Sequence, residues 1–155
     1  MKIYKYNKKE DNRGYFSKLL SVKNKKLIGK NILEVNLSYN KKKGTIRGLH
    51  YQIGNFKETK IIYVLNGKIF DVEVNLKNHK VTSKILSHKN NNFIVIKENC
   101  AHGFQTLVDN TILLYLHSKP YDKKTEKTLN VFSKEFKINW PIKKYIISNK
   151  DKTTK

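Results

Sequence analysis

Residues 59–76 read TKIIYVLNGKIFDVEVNL, two β-rich runs that flank the turn dipeptide Asn66-Gly67. This dipeptide suits a two-residue type I′ turn, in which both residues need a positive φ. The stretch therefore predicts a β-hairpin of strands 60–65 and 68–75, paired in register outward from the turn.

The predicted hairpin has two unlike faces, because directly opposed residues share a face and the turn sets Leu65 opposite Lys68. One face is apolar and is expected to pack on another sheet or subunit; it carries Ile61, Tyr63, Leu65, Phe70 and Val72. The other face grades from apolar to charged and carries Val64, Ile69, Ile62, Asp71, Lys60 and Glu73. This gradient is typical of the lumen of a small barrel with a polar mouth, although a solvated face with a surface ion pair fits it too.

The rest of the chain shows the same pattern of short runs, rich in β-branched and aromatic residues and punctuated by Gly and Asx. The further predicted strands are 33–39, 45–52, 81–86, 93–96, 104–107 and 112–117. Short helical turns are expected within 18–30 and after Asp122. At 155 residues the chain has the length of one domain, so 1–155 is predicted to be a single all-β domain.

Membrane insertion and secretion are not expected from the sequence. No segment approaches the roughly 20 continuous apolar residues that cross a bilayer, and the opening MKIYKYNKKEDNRGYF is too polar for a signal peptide. The expected location is the cytoplasm. Cys100 is the single cysteine, which excludes an intramolecular disulfide and offers no zinc-ligand spacing.

The net charge of +21 first suggests nucleic-acid binding, because clustered lysines gain affinity by releasing counterions from phosphates. The lysines are instead scattered along the whole chain, as in a compositional bias on solvated faces. Specific nucleic-acid binding is therefore not expected. Only Arg13 and Arg47 of the 33 basic residues are arginines, and their planar forks make them candidates for binding phosphate or carboxylate.

Residues 45–52 read TIRGLHYQ, and strict alternation puts His50 and Gln52 on one face with Arg47 on the other. A histidine on a strand is more often structural than catalytic, so His50 is a candidate only if its face lines a lumen. Arg47 shares a site with His50 only if Gly48 allows a β-bulge or the strand ends there.

Two further segments carry candidate side chains. In CAHGF at 100–104, His102 precedes a glycine that allows the backbone to turn tightly. Within 112–117, Tyr115 is a candidate acid, although an edge tyrosine with its hydroxyl in water fits the pattern equally. Because Gln52 stands where a His-x-His metal motif has its second imidazole, no transition-metal site is expected.

Taken in order, these segments resemble the dTDP-4-dehydrorhamnose 3,5-epimerase family, cupin-like enzymes that act on a nucleotide-linked 4-keto-6-deoxy sugar. The resemblance spans most of the chain and is carried by DNRGYF at 11–16, GTIRGLHYQ at 44–52, TKIIYVLNGKIFDVEVNL at 59–76, CAHGFQTL at 100–107, YLHSKPY at 115–121, and INWPI followed by ISNKD at 147–151. Each block alone is moderately specific, and the ordered set is highly specific.

The resemblance implies a cupin-like double-stranded β-helix, or jelly-roll barrel, with minor short helices, usually dimeric and without cofactor or metal. By motif, His50 resembles the base, Tyr115 the opposing acid and Lys60 the cation beside the C4 oxygen of the sugar. Asp151 resembles the carboxylate that orients His50. The same resemblance places nine further residues at the sugar or nucleotide: Arg13, Glu34, Asn36, Arg47, Gln52, His102, Tyr121, Glu126 and Lys150.

Two departures from the family pattern concern the nucleotide. Lys18 stands where the family usually has Glu, and Glu34 stands where it usually has Gln, so the base that is bound stays open. The alternative function is a catalytically silent cupin-like module that binds sugar nucleotides or polyanions through its basic surface. The joint presence of a base, an acid, a lysine and an orienting carboxylate favours the enzyme, because a binding module needs no such set.

Overall fold

The computed structural model describes residues 1–21 and 31–152, and nearly all of its regular structure is β-strand. In chain order the strands are β1 (Ile3–Lys5), β2 (Lys8–Asp11), β3 (Gly14–Ser17), β4 (Glu34–Asn40), β5 (Thr45–Gln52), β6 (Lys60–Asn66), β7 (Lys68–Asn75), β8 (Val81–Ser87), β9 (Asn92–Ile96), β10 (Cys100–Thr106), β11 (Thr111–His117), β12 (Glu126–Thr128) and β13 (Ile146–Ile147). Within these residues, the helical segments are two 3₁₀ turns, Gly54–Phe56 and His88–Asn90, and the helix α1 (Asn149–Lys152). Within the described ranges, no helix is long and apolar enough to span a membrane.

Two sheets face each other as the walls of a barrel. The first sheet has strand order β1-β9-β6-β11-β4, and the second has order β12-β5-β10-β7-β8 with β13 added in parallel to β5. β2 and β3 form a separate two-stranded hairpin. From β4 to β12 the chain crosses between the walls at every connection except that of β7 to β8. The predicted all-β jelly roll is confirmed.

Alternating side chains divide the apolar residues between the barrel interior and the two outer faces. The interior cluster draws on both walls and contains Ile62, Val64, Ile69, Leu86, Ile94, Ile96, Cys100, Phe104 and Leu113. The outer face of the first sheet packs against Tyr4, Tyr6, Leu19 and Ile32, and that of the second against Val131, Phe136 and Trp140. Because each fully buried large apolar side chain contributes about 1.5–3 kcal/mol, these three layers dominate the stability of the barrel.

The predicted hairpin between β6 and β7 is wrong, because the two strands belong to opposite walls. β6 pairs with β9 and β11, whereas β7 pairs with β8 and β10. Gly67 has a φ of +88°, but Asn66 has no positive φ and stays in β6 opposite Ile112. The side-chain amide of Asn66 donates to the carbonyl of Asn110 at 2.7 Å. A type I′ turn needs a positive φ at both positions, so the dipeptide here leads the chain from one sheet to the other.

The two faces predicted from alternation are nevertheless correct, because alternation along a strand does not depend on its partner. Ile62 and Ile69 lie in the interior cluster, and Asp71 is fully buried on the same side. Tyr63 and Val72 lie in the outer clusters of their respective sheets. The prediction thus assigned side chains to the lumen correctly while pairing their strands wrongly.

Most predicted strands, including β5 and β7, agree with the structure to within one residue at each end. β10 is the exception, since it begins at Cys100 rather than Phe104 and takes CAHGF into the strand. Of the helical turns expected within 18–30, residues 22–30 lie outside the described residues. In the described part after Asp122, α1 is the only helix, and the short strands β1, β2, β3, β12 and β13 were not predicted.

Candidate active site

A pocket opens between the two walls of the barrel. The first sheet contributes Asn36 and Ser38 of β4, Lys60 of β6, and Tyr115 and His117 of β11, together with Glu58 just before β6. The second sheet contributes Arg47, His50, Tyr51 and Gln52 of β5, His102 and Phe104 of β10, and Glu126 of β12, with Tyr121 from a loop. The polar lumen predicted from the sequence is therefore present, and most of the candidate residues line it.

His50 lies on the second wall and is hydrogen-bonded to a buried carboxylate. Its Nε2 is 2.8 Å from Oδ1 of Asp151, and Oδ2 of Asp151 accepts the amide of Gly48 at 3.4 Å. Burial raises the pKa of Asp151, but the hydrogen bond and charge of His50 outweigh burial and hold that pKa below its usual value. The ionised carboxylate can therefore orient the imidazole and support its protonated form.

Arg47 and His50 both line the pocket because a β-bulge lies between them in β5. The register of β5 on β10 shifts by one residue at this point. Gly48 makes the bulge possible, because its φ is +130° and a Cβ there would lie 2.5 Å from the Cα of Gly103. The condition for Arg47 to share a site with His50 is thus met. Arg47 Nε donates to Asn40 Oδ1 at 2.7 Å, which holds the guanidinium in place.

Tyr115 faces the pocket from the first wall, opposite the wall that carries His50. Burial raises the pKa of its phenol, and the negative charge of Asp71 raises it further, while Arg47 opposes the shift. The phenol therefore keeps its proton at neutral pH. The interpretation of Tyr115 as an edge residue does not hold, because β11 lies between β4 and β6.

Lys60 lies beside two residues that the sequence did not single out. Its Nζ is 3.1 Å from Oε1 of Glu58, whose Oε2 is 2.7 Å from Nδ1 of His117. Burial raises the pKa of Glu58, but the hydrogen bond from His117 and the charge of Lys60 outweigh it and lower that pKa. Glu58 is therefore ionised at neutral pH and pairs with the ammonium.

Alternation could have pointed to Glu58 and His117, since Glu58 is two residues before Lys60 and His117 is two residues after Tyr115. Their contact could not be predicted from the sequence, because it depends on the pairing of β6 with β11, which sets Lys60 opposite His117. Glu58 and His117 are 59 residues apart in the chain, and no local pattern predicts that they meet.

His102 lies on the second wall and is paired with Asp71. Its Nε2 is 2.8 Å from Oδ2 of Asp71, and both side chains are buried. Burial raises the pKa of Asp71, although His102 acts against this shift. Oδ1 of Asp71 is buried without a hydrogen-bond partner among the described residues. The pair fixes the plane of the His102 ring.

The rim of the pocket is a hydrogen-bonded network. Oε2 of Glu126 accepts from the Tyr121 hydroxyl at 2.9 Å and from Lys150 Nζ at 2.5 Å. Glu34 accepts the Tyr121 amide at 3.0 Å and the side-chain amide of Asn36 at 3.4 Å. Glu34 and Lys150 do not line the pocket themselves, and they instead hold residues that do.

Gln52 is engaged in anchoring loops around the pocket. Its Nε2 donates to the carbonyls of Phe56 and Pro120 at 3.2 and 3.1 Å, and its Oε1 accepts the amide of Asp122 at 2.7 Å. In the described parts of the chain, no group of three or more His, Cys, Asp or Glu side chains is arranged to hold a metal ion.

Arg13 lies outside the pocket, on the hairpin of β2 and β3. Its side chain is 85% exposed and pairs with Asp11 at 2.7 Å. Tyr15 and Phe16 of the same hairpin are also exposed. A single chain therefore does not bring Arg13 to the pocket that contains His50.

The chain is similar over its whole length to a known enzyme family. The family model described as dTDP-4-dehydrorhamnose 3,5-epimerase matches residues 1–155. The dTDP-4-dehydrorhamnose 3,5-epimerase of Sinorhizobium fredii is 32% identical over 162 residues, which cover 97% of this chain and 82% of that protein.

Solved structures share the fold. The dTDP-4-dehydrorhamnose 3,5-epimerase of Bacillus anthracis, solved with TDP and PPi bound, has a TM-score of 0.91 at 33% identity and covers 96% of this chain and 89% of its own. The dTDP-6-deoxy-D-glucose-3,5-epimerase of Legionella pneumophila, solved in complex with dTDP-4-keto-L-rhamnose, has a TM-score of 0.88 at 28% identity and covers 96% and 83%. These similarities confirm the predicted family and the cupin-like barrel.

Proposed function

The chain belongs to the dTDP-4-dehydrorhamnose 3,5-epimerase family and is an epimerase, and from this premise we propose that it inverts C3, C5 or both in a nucleotide-linked 4-keto-6-deoxy sugar. The proposed substrate is dTDP-4-dehydro-6-deoxyglucose, because the similar Legionella enzyme was solved with dTDP-4-keto-L-rhamnose. One observation carries the chemistry: the His50–Asp151 pair and the Tyr115 phenol flank one pocket from opposite walls.

In the proposed reaction, His50 removes the proton from the carbon next to the C4 ketone. A neutral imidazole is a suitable base near pH 7, and the adjacent carboxylate stabilises the imidazolium that forms. The contact of 2.8 Å between His50 and Asp151 supports this role.

The enolate that results needs a positive charge at the C4 oxygen. Lys60 is the candidate, because its side chain lines the pocket and is only 10% exposed. A fixed cation in a partly dry site stabilises developing negative charge far more than it would in water.

Inversion requires a proton from the face opposite to the base, and we assign this step to Tyr115. Return of a proton by His50 would restore the original configuration. The raised pKa of the phenol keeps it protonated and thus able to donate, which supports the assignment.

We also propose that the protein is a homodimer. β4 is an edge strand of the first sheet. Its outer face carries Val35, Leu37 and Tyr39, which are 61%, 64% and 52% exposed. An edge strand with an exposed apolar face favours association with another chain. A dimer would also give the exposed Arg13 a partner's pocket to reach, in line with its resemblance to a substrate-binding residue.

The test is a panel of 4-keto-6-deoxy sugars linked to dTDP, UDP or GDP, incubated with the protein in deuterated water. We expect inversion with deuterium incorporated at C3, C5 or both, and the fastest turnover with the dTDP sugar. Mass and proton spectra measure the incorporation and the configuration. Binding of a panel member without any deuterium incorporation would contradict the epimerase and favour the catalytically silent module.

A further inference from the structure

Glu58, Lys60 and His117 form a charged cluster in the first wall of the pocket. Glu58 binds Lys60 Nζ with one carboxylate oxygen and His117 Nδ1 with the other, at 3.1 and 2.7 Å. Their side chains are 7%, 10% and 13% exposed. The ring of His117 stacks on that of Tyr115, with centroids 5.9 Å apart. Glu58 is therefore a clamp shared by a cation and an imidazole.

The position of the Lys60 ammonium depends on this clamp. Among residues 1–21 and 31–152, Glu58 is the only ion-pair partner of Lys60. Burying an ammonium without a counterion is costly, so without Glu58 the Lys60 side chain would turn toward water. Glu34 lies in the same cross-strand row, but its carboxylate is engaged by the amide of Tyr121 at 3.0 Å and does not substitute for Glu58.

We propose that Glu58 is a positioning residue that holds Lys60, in its charged form, toward the C4 oxygen of the substrate, and that His117 fixes Glu58 for this task. The inference rests on the proposed function, in which Lys60 stabilises the enolate. The hydrogen bond from His117 draws the carboxylate charge away from Lys60, so the ammonium keeps its attraction for the developing oxyanion.

The first test compares kcat and KM of Glu58→Gln with wild type. The amide keeps the shape of the side chain but cannot hold an ammonium as a counterion, so we expect kcat to fall roughly 10- to 100-fold, the effect of losing a hydrogen bond to a charged group. KM should change less than about 3-fold, because Lys60 acts mainly in the transition state. The matched control is Glu135→Gln, which breaks the exposed pair of Glu135 with His79 and should leave both constants unchanged.

A double-mutant cycle separates positioning from a general structural role. Lys60→Met should lower kcat by roughly 10²–10³-fold, as for one oxyanion donor. If Glu58 acts through Lys60, adding Glu58→Gln to Lys60→Met should lower kcat by less than about 3-fold more. Multiplied losses in the double variant would overturn the proposal.

The role of His117 is tested by a conservative pair of variants. In His117→Asn the amide nitrogen can replace Nδ1 as donor to Glu58, so kcat should stay within about 5-fold of wild type. His117→Leu removes the donor and should lower kcat by roughly 10-fold or more at unchanged KM. Equal losses in both variants would contradict the role of His117, and the result does not depend on whether Glu58→Gln folds.

The outcomes also distinguish this inference from the proposed function. A wild-type protein that inverts no 4-keto sugar would refute the proposed function. An active wild type with Glu58→Gln as fast as Glu135→Gln would refute the positioning role alone. Circular dichroism and dTDP affinity, measured on each variant, show that the fold and the nucleotide site are intact.

Discussion

At the residue scale, three basic side chains of the pocket each contact a buried carboxylate. The pairs are His50 with Asp151, His102 with Asp71, and Lys60 with Glu58. Removing one member of a buried pair leaves an uncompensated charge and costs about 3–5 kcal/mol. Loss of activity in a variant of these residues is therefore informative only when the variant is shown to be folded.

Deuterium exchange separates the proposed base from the proposed acid. In His50→Ala no enolate forms, so we expect no deuterium at either carbon. In Tyr115→Phe the base remains, so the substrate should still take up deuterium with its configuration retained, while inverted product falls by roughly 10²–10⁴-fold. Proton spectra of substrate and product measure both quantities.

The matched control for these variants is Tyr145→Phe, which removes the hydroxyl of a half-exposed ring that packs at a tilt against Phe132, away from the pocket. It should exchange and invert at the wild-type rate. If a folded His50→Ala exchanges deuterium as fast as this control, the base has been assigned to the wrong residue.

The Asp151 carboxylate also makes the free energy of unfolding depend on pH. Its folded-state pKa is lowered from about 3.8, so its ionised form contributes stability that is fully present above that value and is lost as pH falls through the folded value. We expect wild type to be more stable than Asp151→Asn at about pH 6, with a difference that shrinks as pH falls below about 4. Urea unfolding at a series of pH values measures this difference in the free energy of unfolding. A difference that does not change with pH would disprove the proposed effect of the Asp151 carboxylate.

The residues of the pocket could be predicted from the sequence to different degrees. His50, Lys60 and Tyr115 were found because each lies in a motif and on the lumenal side of an alternating strand. Glu58 and His117 were not found, because they are 59 positions apart in the chain and meet only through strand pairing. Arg13 lies in a family motif but outside the pocket, because the hairpin of β2 and β3 belongs to neither sheet of the barrel.

At the element scale, alternation predicted which way side chains point, and the strand pairing had to come from the structure. The turn dipeptide between β6 and β7 fits a hairpin locally, but each of these strands pairs on both sides with strands of its own sheet, and the two sheets are opposite walls of the barrel. The burial of three apolar layers outweighs the preference of one dipeptide for a tight hairpin turn. The dipeptide alone therefore predicted the wrong strand pairing.

Gly48 is the backbone feature on which the shape of the pocket depends. In Gly48→Ala the Cβ would meet the Cα of Gly103 at 2.5 Å, so the bulge must shift and Arg47 and His50 should no longer share the pocket. We expect a loss of about 1–3 kcal/mol in the free energy of unfolding, and kcat should fall in the protein that remains folded.

Gly14→Ala is the control for backbone strain alone. Gly14 has a φ of +129°, close to the +130° of Gly48, but a Cβ there meets nothing within 4 Å. Its cost in the free energy of unfolding should therefore reflect the φ penalty without the clash. Equal costs for the two variants, with kcat unchanged in Gly48→Ala, would show that the close approach to Gly103 is not required.

At the scale of the whole molecule, charge and apolar surface act in opposite directions on self-association. Each chain has a formal net charge of +21, so two copies repel each other at low salt. The exposed apolar face of β4 favours contact. At 0.1 M salt the repulsion between exposed charges more than about 10 Å apart is largely screened, so the proposed dimer should tighten as salt rises from low concentration.

Leu37→Lys tests whether β4 forms the dimer interface. Leu37 lies opposite Leu114 on the outer face of the first sheet and is 64% exposed, so a lysine costs the folded monomer little. In a dimer built on this face, two added charges would lose their water, and the mass measured by light scattering should fall to that of one chain. Ile85→Lys, on β8 of the other sheet, is the matched control because Ile85 is 48% exposed, and it should leave the mass unchanged. A Leu37→Lys protein that keeps the mass of two chains would place the interface elsewhere.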